Sequence, residues 1–250
     1  MRRYLIPSIT TLVYWVLFFL LISYAGAFYY WLALITLAIA ILIIAVSGKR
    51  FMAVWSTWLN FSLFIFSSTA FLLIINSATV RNAYVFFFGA VTGALIYATN
   101  RYFDHDNVFI AAHYLEFVHF IYFVTFWQAM SLVFFSLIAI QIPFWQTVYL
   151  VAILTFLLAR GIVLTQRLSK SSPVLILTVL TLTTAEFFYF LALLPVTYFV
   201  AATLLTLWFF LIVQIVSLGQ ELTSRRHIFR VYTTVVLLAM LLLLLTAPWA

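Results

Sequence analysis

Few side chains in this sequence can do chemistry. The 250 residues hold five carboxylates (Asp104, Asp106, Glu116, Glu186, Glu221), four histidines (His105, His113, His119, His227) and no cysteine. The missing cysteines exclude thiolate nucleophiles, iron–sulfur clusters and cysteine-ligated zinc. The densest group is Asp104-His105-Asp106, followed by His113, Glu116 and His119. At about 100° per residue the last three fan across one helical face, continued by Phe123 and Trp127. Glu116-x-x-His119 has the spacing that di-iron bundles use, but such centres need two of these units and two further glutamates. This chain has one unit and one other deep glutamate, so a di-metal centre is excluded. His113 and His119 stand about 9 Å apart along a helix axis, which is awkward for one ion. No metal or other cofactor is expected. If the group acts, it is a proton or cation entry site at His113, Glu116 and His119, or a membrane enzyme's site formed with Asp104 and His105. Without chemistry, it is a solvated helix start with a local Glu116–His119 pair.

Glu186 is the opposite case. It lies 13 residues after Pro173 and eight before Leu194, within an apolar run. A charge placed in hydrocarbon costs at least about 2.5 kcal/mol, so a carboxylate at this depth is a functional candidate. The turn at Pro195 makes the next run an antiparallel neighbour, putting Glu186 level with about Thr203 and Leu204. There Thr203, Thr206, Phe210, Gln214 and Ser217 fall within an arc of about 80°. Glu186 is expected to face this stripe, protonated or hydrogen-bonded, forming an intramembrane polar site with Thr183, Tyr189, Thr203, Thr206 and Gln214. Such a site serves proton or cation coupling, or it joins two helices through bonds of about 0.6–2 kcal/mol each. Ser56, Asn60 and Ser67 share another helical face and read as an interhelical contact.

The elements that must position these residues follow from composition. The chain is 68% apolar, 20% aromatic and 7% charged, whereas soluble domains are about 45–50% apolar and about 25% charged. This is the composition of an all-α polytopic membrane protein. Nine apolar runs are bounded by Gly, Pro, Asn or charge: Leu5–Tyr24, Phe28–Val46, Phe51–Ile75, Ala83–Thr99, Val108–Ile140, Trp145–Thr165, Pro173–Leu194, Val196–Leu218 and Val231–Ala247. The connections are short, so about nine transmembrane helices form an antiparallel bundle, and residues 1–250 make a single membrane domain. The run Val108–Ile140 exceeds the bilayer thickness, which places His113 and Glu116 at or beyond the headgroups.

Lysine and arginine are retained on the cytoplasmic side. With the N-terminus cytoplasmic and the C-terminus outside, eleven of the twelve basic residues lie inside and only Arg81 lies outside. The expected location is the plasma (inner) membrane, multi-pass. Arg2, Arg3, the apolar Leu12–Ile22 and Ala25-Gly26-Ala27 also resemble a signal peptide, but the first run is long enough to span and is read as uncleaved. The net charge of +7 is spread over five cytoplasmic edges and forms no basic domain, so no nucleic-acid partner is expected. Membrane lipids and other membrane proteins are the expected partners.

Gly89-x-x-x-Gly93, flanked by Ala90 and Ala94, clears a groove for close helix packing within the bundle. No G-x-S-x-G, H-E-x-x-H, phosphate-binding loop or dinucleotide fingerprint occurs, and no catalytic residue is assigned. Internal repeats and helices broken at Gly or Pro, the usual marks of alternating access, are missing. The first reading is therefore a non-catalytic integral membrane component: a subunit, scaffold or lipid-interacting protein. The alternatives are a proton- or cation-coupled transporter or channel using Glu186, and a membrane enzyme using the histidine cluster.

Overall fold

The computed structural model describes residues 2–23, 30, 55–104, 108–165, 173–218 and 226–247. Among these the chain forms eight α-helices: α1 (Arg2–Ser23), α2 (Trp55–Phe71), α3 (Ala78–Asp104), α4 (Val108–Ala139), α5 (Phe144–Thr165), α6 (Pro173–Ala192), α7 (Tyr198–Leu218) and α8 (Arg226–Thr246). A 3₁₀ turn, Leu72–Ile74, extends α2. Five of the helices, α3 to α7, are long and apolar enough to cross a membrane. The chain has the make-up of a multi-pass helical membrane protein. The expected span Phe28–Val46 lies outside the described residues apart from Tyr30, as do His105 and Asp106.

Helix ends differ from the sequence reading where a polar residue caps a helix. The stretch Asn76–Asn82 was expected to be a connection, yet α3 begins at Ala78. Ser77 explains the difference: its carbonyl accepts from Arg81 N–H at 2.9 Å and its hydroxyl lies 3.5 Å from Val80 N–H. A serine in this position satisfies N–H groups that a helix start leaves open. At the other end α3 runs past Thr99 to Asp104. α4 stops where Gln141 takes a left-handed backbone (φ 57°) and Ile142 N–H returns to the Ser136 carbonyl at 3.3 Å. Pro143 then supplies the carbonyl that accepts from Gln146 N–H at 2.9 Å and launches α5.

The chain divides into two compact units, Met1–Ile121 and Tyr122–Ala250, with the division inside α4. In the first unit α1 packs closely along α3. Trp15 stacks on Phe86 at 4.6 Å and its indole N–H donates to the Phe86 carbonyl at 3.2 Å. One turn earlier on α1, Thr11 meets Gly93 one turn later on α3, so the two helices are antiparallel. α2 is also antiparallel to α3, through Phe71 on Tyr84 (5.4 Å), Phe64 on Phe88 (5.9 Å) and the Tyr84 hydroxyl donating to the Ser68 carbonyl (3.0 Å). α1 and α2 therefore run the same way.

The two glycines permit the close approach of α1 and α3. A Cβ on Gly89 would strike the Trp15 indole, and one on Gly93 would strike the Thr11 hydroxyl. With no hydrophobic drive between helices in lipid, such close backbone approach is a main source of van der Waals attraction. The threonines of the interior beside this seam bond within their own helices. Thr69 donates to Ile65 O (2.6 Å), Thr92 to Phe88 O (2.8 Å) and Thr99 to Leu95 O (2.7 Å).

In the second unit α5 packs on α6, α6 on α7 and α7 on α8. Rings hold α4 against α7: Phe126 stacks on Phe209 at 4.3 Å, Phe123 meets Phe210 edge-on at 4.8 Å, and Phe135 meets Tyr198 at 5.5 Å. The fully buried Phe188 of α6 touches Phe134 of α4 (4.8 Å) and Phe144 of α5 (6.1 Å), closing the core. Such ring pairs contribute about 0.5–1.5 kcal/mol each beyond the area they bury.

Candidate intramembrane site

α6 presents two faces. Its buried residues are Ile176, Leu177, Leu180, Thr184, Phe188 and Leu191, a stripe at three- and four-residue spacing that packs into the unit. Glu186 is two residues from both Thr184 and Phe188, about 200° around the helix from each. It falls on the opposite side and is exposed. Tyr189, one turn on, is 54% exposed and meets Phe144 edge-on at 5.4 Å.

The threonine stripe of α7 is engaged elsewhere. Thr203 accepts a hydrogen bond from the Trp127 indole N–H of α4 at 3.0 Å and donates to the Phe199 carbonyl of its own helix at 2.7 Å. Thr206, fully buried, donates to the Ala202 carbonyl at 2.7 Å. Gln214 is half-buried further along α7. On α6, Thr183 donates to the Val179 carbonyl at 2.8 Å. A threonine that returns its proton to the preceding turn is satisfied without a partner helix, so these hydroxyls gather no shared site around the carboxylate.

The α6–α7 register also differs from the expectation. Trp208 stacks on Phe187 at 4.7 Å, and its indole N–H reaches the Thr183 carbonyl at 3.4 Å. Glu186 is therefore nearer the level of Trp208 than of Thr203, a shift of about one turn. Trp208 was missed as a site-defining residue. Its signal was available, because an indole N–H within a span must find an acceptor.

The histidine group is arranged differently from the expected local pair. Glu116 pairs with His113 at 3.5 Å, not with His119, and both partners are exposed. His119 is half-buried. Among the described residues no group of three or more His, Asp or Glu side chains could hold a metal ion.

The helices and their contacts define a class, a multi-pass bundle in which several buried threonines bond to carbonyls of their own helices. No family model, no curated protein and no solved structure matches the chain.

Proposed function

We propose that this protein is a non-catalytic integral membrane component that works through contacts within the bilayer, with membrane lipids and other membrane proteins as its partners. The observation that carries this reading is the disposition of polar groups. The buried Thr69, Thr92, Thr184 and Thr206 donate to carbonyls of their own helices, and the deep carboxylate Glu186 is directed outward. A transport path needs polar groups converging on a shared interior, and an enzyme needs acids and bases grouped at one edge. An outward polar group on a spanning helix is suited to joining another membrane element.

The proposed topology is nine alternating spans with the N-terminus cytoplasmic and the C-terminus outside, in the plasma (inner) membrane. The partition of eleven basic residues against Arg81 supports it. So does the shared direction of α1 and α2, because consecutive spans of an alternating bundle run opposite ways.

Reconstitution into liposomes tests the reading. Vesicles that contain the purified protein and an internal pH-sensitive dye, under an imposed potassium diffusion potential, should show no proton flux above empty vesicles. A flux abolished by Glu186→Gln would overturn the proposal in favour of proton coupling.

A further inference from the structure

The outward face of α6 carries Leu175, Val179, Leu182, Glu186 and Tyr189, continued by Leu193 in the turn just past its end, all exposed and spaced 4, 3, 4, 3, 4. That is the repeat of a helix seam that packs with a left-handed supercoil. Spacing alone says little. α8 shows the same rhythm in its exposed Val231, Val235, Leu238, Leu242 and Leu245, as a lipid-facing stripe does by default. The carboxyl group distinguishes α6.

Glu186 makes no hydrogen bond or ion pair with the described residues. It lies six residues, about 9 Å, inside the C-terminal end of α6. Helical side chains lean toward the N-terminus, so this one leans away from the nearer membrane surface. A lipid headgroup at that surface is poorly placed to meet it, and hydrocarbon offers no donor.

We infer that this stripe of α6 is a self-association seam on which a second copy of the chain docks, placing the two Glu186 carboxyl groups side by side. The inference rests on the multi-pass reading above. Basic residues orient every copy the same way, so two α6 helices meeting in one membrane run parallel about a twofold axis along its normal. In a parallel seam each position faces its own counterpart. Leu182 then packs on Leu182 and Leu193 on Leu193. Glu186 meets the one group certain to be at its own depth. Two carboxyl groups can hydrogen-bond to each other, so the pair needs no second kind of partner. A single polar layer in an apolar seam also fixes register, since any slip leaves both carboxyls facing hydrocarbon.

The absence of cysteine makes the test direct. Leu182→Cys and Leu193→Cys are expressed singly in the full chain and oxidised in the membrane with copper phenanthroline. Leu238→Cys on α8, comparably exposed, is the control. The seam variants should form disulfide-linked dimers in several-fold higher yield than the control. Adding Glu186→Gln, whose amide both donates and accepts, should preserve that yield; adding Glu186→Leu should lower it to the control level. Equal yields at Leu182→Cys and Leu238→Cys overturn the inference, as does a yield indifferent to Glu186→Leu. Co-purification of a different membrane protein in place of the dimer overturns it as well. An alkaline wash separates the two levels of failure. Protein released from the membrane refutes the multi-pass reading, whereas retained protein without seam cross-links refutes self-association alone.

Discussion

Replacing Gly89 by alanine adds one methyl group where α3 presses on the Trp15 indole of α1. That methyl would overlap indole Nε1 and Cδ1, so the ring must turn away or α1 must retreat. Two contacts are lost with the ring: the N–H bond to the Phe86 carbonyl (3.2 Å) and the stack on the Phe86 ring (4.6 Å, 12° between planes). A net hydrogen bond contributes about 0.5–1.5 kcal/mol and a stacked pair about the same, so displacement costs about 1–3 kcal/mol. Alanine is the better helix former by about 1 kcal/mol, which leaves a net loss of up to about 2 kcal/mol for Gly89→Ala alone. With Trp15→Ala already in place there is no ring to strike. There Gly89→Ala should be neutral or stabilising, a reversal of sign that propensity alone does not produce. The assay is equilibrium unfolding in detergent micelles, followed by far-ultraviolet circular dichroism because the variants differ in tryptophan content. The cycle should give a coupling of about 1–3 kcal/mol between the two positions. Additivity to within about 0.5 kcal/mol would refute the argument and with it the close approach of α1 and α3.

Two further contrasts use the same measurement. Thr203→Val removes the acceptor of the Trp127 indole and should cost about 1–2 kcal/mol, a loss that vanishes in a Trp127→Phe background. Thr206→Val, which removes a hydroxyl bonded within its own helix, should stay within about 0.5 kcal/mol of the parent. His113→Ala and Glu116→Ala should leave unfolding unchanged, because their pair is 62% and 77% exposed and such pairs are screened by water and salt; a clear loss in either would place that pair inside a packed contact.

Much of the architecture was legible because spans are written as unbroken apolar runs and connections as Gly, Pro, Asn or charge. The boundaries that shifted did so for local reasons. Ser77 caps α3 inside a stretch whose asparagines and arginine suggested a loop, and α3 continues through Asn100 and Arg101 to Asp104. The Gly89 and Gly93 spacing marked a close approach, but only the fold shows that Trp15 and Thr11 of α1 occupy it.

The sequence by itself determined the class of protein and the place of Glu186 along its helix. These depend on composition and on distance along one chain. Which way Glu186 faces was decided only by tertiary structure. In water an apolar face marks the inside, because burial removes it from solvent; in a bilayer the outside is as apolar as the core, so that signal is lost. The remaining clue, a polar stripe on the neighbouring helix, was misleading because threonine can satisfy itself on the preceding turn. Thr203 and Thr206 thus pack toward the interior without calling for a carboxylate. The rings of Phe134, Phe144 and Phe188, by filling the space among α4, α5 and α6, turn Glu186 outward.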